Sequence, residues 1–149
     1  MSATPVQLGW LDTNIFLHAL LPNDRHYPRC RSILRALEEG RAEGWIDVTI
    51  VHELTYTLRR LPGFGDRALI CAYIEQILGV AQIRADDKQA LREALGNWLQ
   101  RDGFVDVWLA VLAERRGLPV CSVNERDFPV GLDNTFRSAD LEREQEGEA

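Results

Sequence analysis

The sequence predicts an α/β fold, a three-layer α/β/α sandwich around a mostly parallel sheet. Short apolar runs alternate with longer stretches of helical periodicity, the connections are short, and cap and turn residues fall at the junctions. At 149 residues the chain has one domain's length, by a prior of roughly 150 residues per domain. A chain of that length buries about 70% of its unfolded surface, so its core needs no disulfide or metal staple.

The elements follow in order. Val6–Leu11 reads as a strand ending at Asp12, and Thr13–Leu21 as a helix stopped by Pro22. Pro28 suits the first turn of a helix running to about Glu39, with Ile33, Leu34 and Leu37 on one face and Gly40 as its stop. Trp45–Val48 reads as a second strand. Thr49 is placed to cap a helix Ile50–Leu61, in which Leu54, Leu58 and Leu61 recur at helical spacing. After the turn Pro62–Gly65, Asp66 caps Arg67–Leu78 and Gly79 ends it. Val80–Ile83 is a third strand, and Asp86 or Asp87 caps Lys88–Arg101. Phe104–Arg116 is apolar almost all round, as a helix buried on most faces would be. Gly117 closes it, Pro119–Val123 is a fourth strand, and a fifth lies near Thr135 and Phe136.

Composition narrows the function classes. Apolar residues make up 46% and charged residues 27%, near the average for soluble globular proteins. No apolar run approaches the roughly 18 residues that span a bilayer, and the start lacks a basic flank leading into an apolar run. The expectation is a soluble, cytoplasmic protein with no membrane partner. The net charge of −6 is uneven, because residues 138–149 carry −4 of it and the rest is nearly neutral. Acidity therefore does not exclude a nucleic-acid partner, and no broad basic excess advertises one. Cys30, Cys71 and Cys121 lack the paired spacing of a zinc site or disulfide framework. Cys71 and Cys121 read as small core residues.

In sheets of this kind ligands bind beyond the carboxyl ends of the strands, and the residues expected there are acidic. Asp12 directly follows the first strand, where it serves either as a ligand or as the cap of the next helix. Glu53 lies one turn into its helix, between His52 and Leu54, where a first-turn glutamate is also favoured by the dipole alone. Asp106 opens an otherwise apolar helix, and a charge beside buried surface needs a partner or a metal. Asp102, four residues earlier, is better read as a helix cap. Asn124 and Asp127 follow the fourth strand, where such residues also make ordinary turns. Taken together, these separate segments bring carboxylates to one sheet edge. Clustered carboxylates repel one another, so a stable cluster implies a compensating cation. An all-oxygen set suits Mg²⁺ or Mn²⁺ rather than zinc. One or two such ions, about 4 Å apart when paired, can ionise a water and stabilise charge developing on a phosphodiester.

Leu11-Asp12-Thr13-Asn14, Glu53 in the following helical slot, Asp106 opening an apolar helix, and Ser122 through Phe128 resemble the PIN-domain nucleases. Within them the chain is most similar to the VapC ribonuclease toxins of toxin–antitoxin pairs. The resemblance covers about residues 6–137 and is most specific from Asp106 to Phe128. It implies an α/β/α sandwich and a Mg²⁺-dependent endoribonuclease in which a metal-activated water attacks phosphorus in line. Asp12 and Asp106 would be the principal metal ligands and Glu53 the third acid. Asn124 matches a slot held by Asp or Asn, and Asp127 matches the acid before Phe128. The resemblance also implies a homodimer and inhibition by a cognate antitoxin. Residues 1–137 would form the nuclease domain and 138–149 an acidic, disordered tail. The sequence departs from its relatives in the neutral Asn124, in the bulky residues after Asp106, and in the tail.

Other readings compete. His52 and Glu53 point about 100° apart on a helix and make no natural dyad, and His18 and His26 read as exposed or satisfied side chains. An aspartyl-phosphate phosphatase wants a second Asp where Asn14 stands, and a phospho-receiver domain wants a late Lys, whereas the sole Lys is Lys88. A catalytically inactive PIN-like scaffold that binds a protein or RNA partner is the third alternative. Arg59, Arg60, Arg115, Arg116 and Arg126 are candidates for phosphate contact, with solvated helix faces as the plainer reading. Trp45, Trp98 and Trp108 read as core.

Overall fold

A computed structural model describes residues 3–101, 103–128 and 133–138. The chain divides into two compact units, Met1–Phe104 and Val105–Ala149. In the first, β1 (Val6–Trp10), β2 (Ala42–Trp45) and β3 (Ile83–Arg84) form a parallel sheet in the order β1-β2-β3. Parallel pairing requires a crossover between successive strands. The crossovers are α1 (Thr13–His18) with α2 (Tyr27–Glu38), then α3 (Val48–Thr57) with α4 (Arg67–Gly79); α5 (Lys88–Trp98) follows β3. Helices flank the sheet on both sides, so the fold is the α/β sandwich that the sequence predicts. Among the described residues no helix is long and apolar enough to cross a membrane.

The caps explain where the helices start. Aspartates precede four of them: Asp12 before α1, Asp47 before α3, Asp66 before α4 and Asp87 before α5, each accepting from backbone amides of the first turn. The Asp47 cap moves two expected boundaries. Its Oδ1 accepts from the amides of Thr49 and Ile50, so α3 begins at Val48, and β2 occupies Ala42–Trp45 rather than Trp45–Val48. Thr49 is a capped residue, not the cap. At the other end, the hydroxyls of Thr55 and Thr57 donate to the carbonyls of His52 and Glu53. Such back-bonding competes with the helical ladder, and α3 gives way to a 3₁₀ turn at Leu58–Arg60. Helices α1 and α5 are shorter than expected for a related reason. Beyond His18 and Trp98 the backbone makes tighter bonds three residues apart, Leu21 to His18 and Arg101 to Trp98. The Ile83-to-Val80 bond likewise makes a turn of much of the expected third strand.

The core of this unit contains Phe16, Leu37, Ile46, Leu54, Leu58, Ile70, Ile74, Ile83, Leu95 and Trp98, all almost fully buried. Arg67 lies over the Trp98 ring at 4.2 Å and donates to the carbonyls of Trp98 and Arg101. Strand β1, by contrast, is exposed along its length, including Trp10, which packs beside Trp45 with ring centroids 6.1 Å apart. Gly9, at φ +77°, accommodates the register shift between β1 and β2. Gly44 on β2 is required by packing, because a Cβ there would meet Leu11 at 2.8 Å.

The second unit contains the rest of α6 (Phe104–Arg116), the helix whose bounds the sequence predicts. It is not buried on most faces, since Val107 and Val111 are buried while Val105 and Leu109 are over 40% exposed. The expected fourth and fifth strands reduce, among the described residues, to a single parallel bridge between Val120 and Asn134. Pro119 has no amide to donate, and the Ser122 amide is taken by the Asn134 side chain instead of a strand partner. A 3₁₀ turn, Phe136–Ser138, follows. Cys121 is exposed, unlike buried Cys30 and Cys71, and so is not the core residue expected. Asp102, expected as a cap, and the acidic tail beyond Ser138 lie outside the described residues.

Two outcomes follow for the first unit. Gly44→Ala should destabilise the fold by about 1–3 kcal/mol through overpacking against Leu11, read as a lower urea midpoint. The Tyr73 hydroxyl donates to the Phe16 carbonyl at 2.7 Å, and burial pushes its pKa from 10.0 up to about 12. The folded state therefore keeps a proton that the unfolded chain loses. The resulting stabilisation is complete below pH 10 and lost as pH rises towards 12. Chemical denaturation of wild type and Tyr73→Phe across that range should show the wild type losing its advantage.

Candidate active site

The Leu11 amide donates to the Trp45 carbonyl at 2.8 Å, which carries the β1 pairing to its end and fixes the residue that follows. That residue is Asp12. Its Oδ1 accepts from the Thr13 amide at 2.9 Å and its Oδ2 from Asn14 Nδ2 at 3.1 Å. Asp12 therefore does cap α1, but it is exposed, and each oxygen retains a lone pair beyond those bonds.

Thr13 is buried, and its hydroxyl donates to Glu53 Oε2 at 2.6 Å. This bond, across 40 positions of sequence, ties the end of β1 to the middle of α3. Glu53 is the sixth residue of α3 rather than a first-turn charge, so the dipole does not account for it. It is half-buried and held by a neutral hydroxyl. His52 is no partner for Glu53; its ring stacks on Phe104 at 6.1 Å and 14°.

The second unit holds the other acids. Asp106 lies in the first turn of α6, where the helix dipole favours a negative charge. Asn124 Nδ2 donates to Asp106 Oδ2 at 3.2 Å and to Asp127 Oδ2 at 2.9 Å. One amide thus bridges two half-buried carboxylates that would otherwise repel, which makes Asn124 a better fit to this spot than a third acid. The Asn124 amide itself donates to Ser122 Oγ at 3.0 Å, and Asn124 Oδ1 accepts from the Asp127 amide at 3.3 Å.

Two residues that the sequence reasoning left unassigned organise these groups. Thr13 is one; its place inside Asp-Thr-Asn was visible, but its partner was not. Asn134 is the other, a buried amide that donates to the carbonyls of Ser122 (3.1 Å) and Phe128 (2.7 Å) and accepts from the amides of Ser122 and Phe136. Only its position before Thr135 hinted at a role. Of the arginines considered for phosphate contact, Arg59 lies 5.5 Å from the Trp98 ring, and all five are exposed.

The predicted residues thus fall into two sets, Asp12 with Glu53 in the first unit and Asp106 with Asn124 and Asp127 in the second. Among the described residues no group of three or more His, Cys, Asp or Glu stands together as a metal site. Every hydrogen-bond donor described on the four carboxylates is neutral, whether amide, hydroxyl or backbone N–H. Such donors fix geometry without adding charge, and an all-oxygen donor set of this kind fits a hard divalent cation.

Removing the organising amide should loosen the second set. Asn134→Ala deletes four hydrogen bonds, two or more of which at about 1 kcal/mol each amount to about 30-fold faster hydrogen exchange. The Ser122 and Phe136 amides should show that acceleration, while those of α4 remain unchanged.

No curated protein and no solved structure matches the chain. The family model described as PIN domain matches residues 10–115, from the end of β1 nearly to the end of α6. That span takes in Asp12, Glu53 and Asp106 and most of the chain's length, and the chain belongs to the PIN-domain family, whose members are usually nucleases.

Proposed function

We propose that this protein is a Mg²⁺- or Mn²⁺-dependent endoribonuclease, and the toxin of a toxin–antitoxin pair. The observation that carries the reading is the pair of acid sets, one held by the buried Thr13 hydroxyl and the other bridged by the Asn124 amide. Asp12 and Asp106 are the principal metal ligands in this reading, with Glu53 as the third acid and Asn124 and Asp127 completing the site. When bound, the ion would polarise the phosphodiester and lower the pKa of a water.

The chain's own residues set the geometry. The Thr13 amide and Asn14 each hold one oxygen of the Asp12 carboxylate, and its remaining lone pairs would be the ones to hold an ion. The Thr13 hydroxyl fixes Glu53 Oε2, so Oε1 is the oxygen available to orient a water. Asn124 keeps Asp106 and Asp127 in register while it remains neutral, which favours fewer metal charges on that side than an acid would. The sequence's resemblance to the VapC toxins would imply an RNA substrate, a homodimer as the working form and a cognate antitoxin as inhibitor. It also supports a domain ending near residue 137, with the acidic tail outside it.

Purified protein incubated with structured and unstructured RNAs should cleave in Mg²⁺ or Mn²⁺ and stop in EDTA. Asp12→Asn and Asp106→Asn should each lower the rate by at least about 100-fold, with unchanged circular dichroism. Thr13→Val, which touches no ion, should cost about 10–100-fold, as loss of an outer-shell partner does. Cleavage that persists in EDTA rejects the mechanism, and an inert wild type leaves the scaffold reading in its place.

A further inference from the structure

A pocket of about 230 Å³ opens between α1 and α2 in the first unit. Ile15, Cys30 and Ile33 give it an apolar lining. His18, His26 and Arg29 line it with polar groups, and so does Asn14, the residue whose amide holds Asp12. The pocket therefore shares a wall with the best-defined acid of the candidate site.

Its polar groups are set by their partners. His18 Nδ1 lies 2.8 Å from Asp24 Oδ1, which places that ring beside the carboxylate. His26 Nε2 accepts from Arg25 Nε at 3.1 Å, which leaves Nδ1 as the donor. Asp24 also accepts from the His26 amide at 2.8 Å, and the two imidazoles stand edge to face with centroids 5.2 Å apart. The lining thus offers two aromatic rings, a guanidinium and a carboxamide, the last carrying both a donor and an acceptor, beside apolar side chains.

That combination selects among ligands. A pocket of this size is smaller than the roughly 300–1,000 Å³ of drug-sized sites, so it takes one small planar group. A phosphate would lose its hydration against Ile15 and Ile33. An unstacked nucleobase gains from the same surface, because proteins read single-stranded RNA by stacking bases on His or Arg planes and bonding their edges. We propose that this pocket seats one base of the RNA next to the cleaved phosphate and so sets the base preference of cleavage. The inference rests on the nuclease reading above for its substrate, and on the pocket alone for its ligand class.

Two measurements on the full chain separate those supports. The first sequences the cut ends from a single-stranded RNA pool randomised at every position. Wild type should favour one base at one position beside the cut. Ile33→Trp, which adds bulk to the apolar lining, and Arg29→Ala, at an exposed position, should each reduce that preference about 10-fold. The second follows the imidazole NMR signals of His18 and His26 during titration, without metal, with the four nucleoside 5′-monophosphates and with inorganic phosphate. One or two of the nucleotides should shift both histidines saturably, inorganic phosphate should not, and Ile33→Trp should abolish the response. Equal shifts with inorganic phosphate, or none with any nucleotide, overturn the proposal, as does an unchanged preference in both variants. Binding of a nucleotide by a chain that cleaves no RNA would uphold the pocket and refute the nuclease reading.

Discussion

The hydrogen bond from the buried Thr13 hydroxyl to Glu53 is the contact on which the first half of the site depends. Thr13 begins α1, and its own amide is bound by Asp12, so whatever fixes Thr13 fixes the carboxylate before it. Glu53 sits mid-helix in α3, a helix whose start is set by the Asp47 cap at the end of β2. The sheet, two helix caps and one hydroxyl thus place two acids from distant sequence. A half-buried carboxylate with one hydroxyl partner among the described residues has further lone pairs to offer, which is the condition for binding something else.

The second unit solves the same problem with amides instead of a hydroxyl. Asn124 stands between Asp106 and Asp127 as a shared donor, and Asn134 holds the loop that carries it by bonding both sides of Ser122. Side-chain amides here replace strand pairing. Fixing a charged loop by buried amides leaves its backbone at few alternatives, because losing one partner strands several polar groups at once.

The sequence made the helices legible and the strands less so. Helix α6 was readable to its ends because Phe104 follows a Gly and Gly117, at φ +63°, closes it. Asp66 and Asp87 were readable as caps from their position before helical periodicity. The run Trp45-Ile46-Asp47-Val48 was not, since apolar residues on both sides of Asp47 suit a strand equally well, and only the tertiary placement of Asp47 decides. Strand β1 is readable as a strand but not as an exposed one, because a short apolar run does not state which face is covered. Among site residues, the acids stood out as charges at element ends. Their organisers did not, since Thr13 and Asn134 matter through partners 40 and 12 positions away, and single-sequence spacing carries no such information.

The claim that joins these parts is that Asp12 and Asp106 serve one ion. A double-mutant cycle on Mn²⁺ affinity, read by electron paramagnetic resonance of the free ion, tests it directly. If the two carboxylates share a site, Asp12→Asn and Asp106→Asn each weaken binding strongly and the double variant loses little more, a coupling well beyond the 0.3–0.5 kcal/mol or so expected of independent positions. Losses that simply add, or Mn²⁺ binding that survives the double substitution, would contradict the account.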